Sequence, residues 1–209
     1  MEKMRQQIFS IEDAKVLVWE LTESIDELRS KLNLSDNELN EFGKLVSEKR
    51  KLEYLGVRIA LMELIGKKIE IKYDSFGKPF LADKSYQISI SHSKIWIAVM
   101  IDPARQVGVD IEIPTDKILK LYKRFLNNTE QKELTSGDKI NKLMLAWSAK
   151  EVLYKIIGID AVDFANQLHI FPFELSFIGK FNAEHSKTKR NYELNYIQNP
   201  DYTLVYCLA

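Results

Sequence analysis

Cysteine is all but missing from this chain: Cys207 stands alone among 209 residues. One thiol cannot close an internal disulfide or build a cysteine-based metal site, so the sequence reads as that of a protein from a reducing compartment. Net charge is missing as well. Thirty lysines and arginines cancel thirty aspartates and glutamates, which removes any overall electrostatic argument for a nucleic-acid or membrane partner. No apolar run approaches the roughly 20 residues of a membrane span, and no signal-peptide pattern opens the sequence, so a soluble cytoplasmic protein is expected. The pattern G-x-x-x-x-G-K-[ST] is absent, which excludes a P-loop. No self-similarity recurs at the period of about 20–50 residues that marks a solenoid.

Material for a core is plentiful, with 45% hydrophobic and 11% aromatic residues, enough for one large domain or two small ones. Residues 14–21 (AKVLVWEL) read as a buried strand. Ser24 with Glu27 and Ser35 with Glu38 have capping-box spacing, and the second box opens a helical region expected to run to Ile65 and stop at Gly66. Strands are expected at residues 69–73, 86–91 and 95–101, followed by a turn at 102–106 (DPARQ). Residues 116–126 (DKILKLYKRFL) have helical amphipathicity, with Lys117, Lys120, Lys123 and Arg124 forming a local positive patch. Asn128 with Gln131 can cap the next helix, and Asp138 the one after it, which Gly158 closes. Three more strands are expected near residues 174–181, 192–197 and 202–208. The reading is α+β, and a twofold repeat of an α+β unit is compatible with it.

Two stretches carry chemistry. In QVGVDIEIP, residues 106–114, Val107, Val109, Ile111 and Ile113 alternate with Gly108, Asp110 and Glu112. Two carboxylates on one strand face, with no base beside them, repel each other unless a cation lies between, and hard oxygen ligands of this kind suit magnesium. A solvated acidic face is the plainer alternative. In WSAKEVLYKIIG, residues 147–158, Ala149, Val152, Leu153 and Ile156 make an apolar helical stripe, while Trp147, Glu151 and Lys155 line another face. Here the plainer alternative is a surface ion pair between Glu151 and Lys155. Read alone, Lys49, Arg50 and Arg58 are solvated basic residues, Lys78 is a loop lysine and His92 a turn histidine.

VGVDIE followed by WSAKEVLYKIIG, with RFLNNTE (residues 124–130) between them, resembles the signature of the 4'-phosphopantetheinyl transferases. GKP (77–79) and SISHS (89–93) resemble two further motifs of that family, with Ser89 where the family has asparagine. Val152 stands where it more often has a small residue. The resemblance covers about residues 45–208 and implies two similar α+β halves, residues 1–104 and 105–209, arranged as a pseudo-dimer with the active site in the cleft between them. It implies coenzyme A as co-substrate, with Arg50 at the adenosine end, Lys78, Ser91 and His92 at the phosphates and adenine end, and Lys150 and Lys155 at the phosphates. Asp110, Glu112 and Glu151 would hold Mg2+, and Glu151, or a water it orients, would be the general base, with Lys155 beside it. The implied partner is an acyl or peptidyl carrier protein, whose serine receives phosphopantetheine as 3',5'-ADP leaves, and the chain is expected to act as a monomer. A coenzyme A or nucleotide-binding homologue without turnover is the alternative. A structural or interaction protein would instead leave Asp110 and Glu112 exposed with no cleft nearby.

Overall fold

The computed structural model describes residues 6–158 and 162–209. In chain order it contains β1 (Gln6–Ile11), β2 (Ala14–Glu20), α1 (Ile25–Ser30), α2 (Asp36–Lys44), α3 (Glu48–Ile65), β3 (Ile71–Tyr73), β4 (Pro79–Leu81), β5 (Gln87–Ser93), β6 (Trp96–Asp102) and β7 (Val107–Glu112). There follow α4 (Ile118–Leu121) with a 3-10 turn over Tyr122–Arg124, α5 (Asn128–Glu133), α6 (Lys139–Ile157), α7 (Phe164–Gln167), β8 (Leu168–Ile170), β9 (Ile178–His185), β10 (Arg190–Gln198) and β11 (Thr203–Leu208). The fold is α+β, as expected.

Two antiparallel sheets organise these elements. One has the order β1-β2-β6-β5, the other β7-β11-β10-β9-β8, and β3 and β4 form a separate hairpin. Within each sheet the strand that precedes the helices lies beside the last strand, which lies beside the penultimate one: β2-β6-β5 and β7-β11-β10. Every residue of β6 (WIAVMID) is buried, because the first sheet is covered on both faces, and a strand in a middle layer reads as a continuous apolar run. Leu17, Trp19, Ile97, Val99 and Ile101 pack with Leu55, Ile59 and Leu64 of α3. Ala14, Val16, Val18, Ala98 and Met100 point the other way, onto Val107, Val109, Ile111, Leu204 and Tyr206 of the second sheet. That sheet in turn carries α6 on its far face, through Ala149, Val152, Leu153 and Ile156 against Leu194, Tyr196, Val205 and Cys207. The layers therefore run α3, sheet, sheet, α6.

Local signals account for many of the boundaries. Ser24 and Ser35 each accept from the backbone N–H three residues on, while Glu27 and Glu38 reach back to the cap. Gly66 and Gly158 end α3 and α6 in the left-handed conformation, with φ of 83° and 63°, where a residue with a Cβ is strained. The region expected to be one helix up to Ile65 is two, since Ser47 caps a new helix. The expected cap Asn128 is displaced by one residue: Asn127 is the cap, and its box partner is Glu130. The amphipathic stretch at 116–126 is shorter than its pattern suggests. Asn127 is extended, with φ −72° and ψ 173°, so the chain must leave helical geometry before it. Strands β1, β4 and β8 were not anticipated.

Candidate functional site

Gly108 lets α6 come down on β7. A Cβ at that position would lie 2.7 Å from the Val152 carbonyl oxygen, closer than any real side chain tolerates. With the helix this near, its polar face meets the edge of the strand. The Lys155 ammonium donates to the Val109 carbonyl at 2.8 Å and to Asp110 Oδ1 at 2.9 Å. Trp147 Nε1 donates to Glu112 Oε1 at 3.4 Å, and its ring meets Phe125 edge-on at 5.1 Å. Lys155 is thus paired with Asp110, not with Glu151 one turn away.

The other side of this edge belongs to β5, the edge strand of the first sheet. Ser89, Ser91 and Ser93 alternate on the β5 face that looks across the seam. Ser89 Oγ accepts from the Val109 N–H at 3.0 Å, Ser91 donates to Asp110 Oδ1 at 2.8 Å, and Ser93 donates to Glu112 Oε2 at 2.7 Å. An edge strand presents unpaired backbone groups. At Val109 both are satisfied by side chains, the N–H by Ser89 and the carbonyl by Lys155.

Asp110, Glu112 and Glu151 share this corner. Burial pushes the Glu151 carboxyl up to about 7, with Asp110 and Glu112 adding repulsion against the relief from Lys155. Burial and Asp110 likewise raise Glu112, against hydrogen bonds from Ser93 and Trp147. Asp110 Oδ2 is buried with no hydrogen-bond partner. Among the described residues no three acidic, histidine or cysteine side chains are placed so that they could hold a metal ion. Even so, three carboxylates against one lysine, two of them raised by burial and then by like charge, and an orphaned buried oxygen have the donor chemistry that suits a hard divalent cation.

A groove leads away from the carboxylates. Its first part, about 250 Å³, is lined by Phe76, Lys78, Ile88, Ser89, Glu151, Tyr154 and Lys155. It continues past Gly77, Pro79 and Ile90 into a second part of about 420 Å³ lined by Arg50, Glu53, Tyr54, Tyr73 and His92. Lys78 reaches over the end of α6, its ammonium 3.4 Å from the Ile156 carbonyl, and burial draws its pKa down. Arg50 donates to Glu53 at 3.3 Å, and His92 Nδ1 lies 3.1 Å from the same carboxylate. Burial, helped by Arg50 and Lys49, holds His92 below 6.5 despite Glu53.

The sequence model described as the 4'-phosphopantetheinyl transferase superfamily matches residues 106–207, the stretch that contains the second sheet, α6 and all three carboxylates. Residues 106–207 are therefore similar to 4'-phosphopantetheinyl transferase superfamily domains. Over 149 residues it is 29% identical to the 4'-phosphopantetheinyl transferase Sfp of Bacillus subtilis, an alignment covering 68% of this chain and 63% of that protein. It is 27% identical over 136 residues to a putative 4'-phosphopantetheinyl transferase of Haemophilus influenzae, covering 59% and 56%. In both cases the chain spans less than two thirds of the relative's length.

Within residues 106–207, one expected phosphate residue lies elsewhere. Lys150 is 0% exposed and faces away from the groove, its ammonium bonded to the carbonyls of Phe125 (2.8 Å), Phe164 (2.8 Å) and Leu168 (2.7 Å) and to Glu130 Oε2 (2.8 Å). Three N–H groups facing four oxygens leave none for a ligand. Ser91 is also engaged, since its single hydroxyl proton goes to Asp110. Sequence reasoning included Glu130 in the RFLNNTE motif without giving it a role; its carboxylate also accepts from the Asn127 and Ile170 N–H groups. Sequence reasoning passed over Glu53, which gathers Arg50 and His92, and over Ser93. The period-2 serines of SISHS were the available signal for Ser93, and the capping spacing from Asn127 was the signal for Glu130.

Proposed function

We propose that this chain transfers 4'-phosphopantetheine from coenzyme A to a serine of an acyl or peptidyl carrier protein, with Mg2+ and with release of 3',5'-ADP. The observation that carries the reading is the convergence of Asp110, Glu112 and Glu151 beside Lys155 at one end of a groove whose other end holds Arg50 and His92. We read residues 1–104 and 105–209 as two halves of a pseudo-dimer with this groove as its cleft, in a protein that acts as a monomer in the cytoplasm. Coenzyme A brings a pyrophosphate and a 3'-phosphate, and the basic residues along the groove offset that charge. Arg50 and His92 suit the adenosine end and its phosphate. Lys78 and Lys155 suit the pyrophosphate, each exchanging a present oxygen partner for a phosphate oxygen.

Asp110, Glu112 and Glu151 would hold Mg2+, which when bound supplies charge stabilisation at the pyrophosphate. The carrier serine oxygen bonds to the phosphorus bearing the pantetheine arm, and the bond from that phosphorus to the 3',5'-ADP oxygen breaks. The serine proton passes to a water that Glu151 orients, or to Glu151 itself if Asp110 and Glu112 alone hold the ion. Intact-mass measurement of an apo carrier protein incubated with this chain, coenzyme A and Mg2+ tests the reading. The expected result is a gain of one phosphopantetheine and the appearance of 3',5'-ADP. Coenzyme A binding without any mass gain on a panel of acyl and peptidyl carriers would identify a homologue that binds without turnover.

A further inference from the structure

All three candidate metal carboxylates follow residue 107, on β7 and α6. The hydroxyls that orient two of them come from β5, in the other sheet. Ser91 donates to Asp110 Oδ1 and Ser93 to Glu112 Oε2, at 2.8 and 2.7 Å, distances typical of well-formed O–H···O bonds. With Oδ1 shared by Ser91 and Lys155, the oxygen left open on Asp110 is the orphaned Oδ2. Glu112 is clamped at both oxygens, by Ser93 and by Trp147 Nε1. Each clamp uses only part of a carboxylate's lone-pair capacity, so the ligand is aimed without being consumed.

We propose that Ser93 is a positioning residue for Glu112, so that the cation site on one sheet is set by a hydroxyl delivered across the seam from the other. The inference rests on the reading above that Glu112 is a metal ligand. Partners that orient a ligating side chain typically influence metal affinity by about 10–100-fold when removed. Ser93 is only half-buried and contributes a single hydroxyl to the seam, so Ser93→Ala removes the aim of Glu112 without removing core volume. Ser89 provides the contrast. Its hydroxyl meets the Val109 backbone and no carboxylate, so in the titrations without coenzyme A Ser89→Ala loosens the seam while leaving each carboxylate its hydroxyl partner.

The test is calorimetric titration of Mg2+ into the full chain, with and without coenzyme A, repeated with Mn2+ followed by electron paramagnetic resonance. Ser93→Ala is expected to bind either ion about 10–100-fold more weakly at a nearly unchanged melting temperature, and Ser93→Thr, which keeps the hydroxyl on a strand-compatible side chain, to restore affinity. Unchanged affinity in Ser93→Ala would overturn the proposal while leaving the metal reading intact. So would an equal loss in Ser89→Ala with parallel falls in melting temperature, because seam stability and not ligand aim would then be responsible. If the wild-type chain binds neither ion, the metal reading itself fails and this inference with it.

Discussion

Replacing Lys150 by methionine keeps the length of the side chain and removes its charge. Glu130, also 0% exposed, is then left without its counter-ion, and the carbonyls of Phe125, Phe164 and Leu168 lose their shared donor. Breaking a buried pair by removing one partner destabilises by about 3–5 kcal/mol, because an uncompensated charge stays behind. The carbonyls add to this through their lost hydrogen bonds, in an amount that overlaps with the first figure. For a chain of this size each kcal/mol shifts the melting temperature by about 2–4 °C, so the expected fall is on the order of 6–20 °C. Burial draws the Lys150 ammonium down to about 8 against the pull of Glu130, so the lysine is mainly charged at neutral pH and most of the effect is present there. Scanning calorimetry at neutral pH reads the stability, and titration with coenzyme A reads the groove. Affinity for coenzyme A in the folded variant should equal that of the wild type, since the ammonium faces away from the groove. A variant that melts as the wild type does but loses coenzyme A affinity would refute this reasoning and return Lys150 to the phosphates.

Gly108→Ala forces a methyl group against the Val152 carbonyl and should destabilise by about 1–3 kcal/mol; because α6 must lift from β7, coenzyme A titration should also show weaker binding through the displaced Lys155. Glu38 would be raised by burial alone, but Lys68, the Ser35 N–H and Arg58 together hold its carboxyl below 4.5. A carboxyl depressed in the folded state contributes stability that is present above its unfolded pKa and is lost as pH falls through the folded one. Urea midpoints should therefore show Glu38→Gln well below the wild type at neutral pH, with the gap closing in the acid range below 4.5; a gap independent of pH would contradict this. Lys120 and Lys123 are exposed beside Leu119 and Leu121; on the reading that this positive patch docks an acidic carrier protein, changing both to glutamate should slow transfer and flatten its salt dependence. Coenzyme A affinity is expected to stay the same, and an unaltered rate with unaltered salt dependence would move docking to another face.

Much of what depends on neighbours a few residues apart could be read from the chain itself. The alternation of β7 separates Val107, Val109 and Ile111 from Gly108, Asp110 and Glu112, as the structure does. The capping pairs Ser24 with Glu27 and Ser35 with Glu38, and the terminal Gly66 and Gly158, mark true helix ends because a cap is made within one turn. The apolar stripe of α6 is buried as its spacing requires. The α+β class follows from such patterns, and so does the choice of Asp110, Glu112, Glu151 and Lys155 as residues worth locating.

What the tertiary structure alone decided is which of two lysines on the same helix faces the groove. Lys150 and Lys155 are alike in residue type, and although helical spacing puts only Lys155 on the Glu151 face, it does not tell which face meets the groove. They differ because Lys150 meets carbonyls from residues 125, 164 and 168, while Lys155 meets Val109 and Asp110. The same holds for Ser91 and Ser93, whose partners are 19 residues away on another sheet. Periodicity tells which way a side chain leaves its own element. It cannot tell what arrives there from elsewhere, because hydrogen-bond partners distant in sequence are brought in only when the core closes. That long-range assembly decides which polar groups are consumed by the fold and which stay available for chemistry.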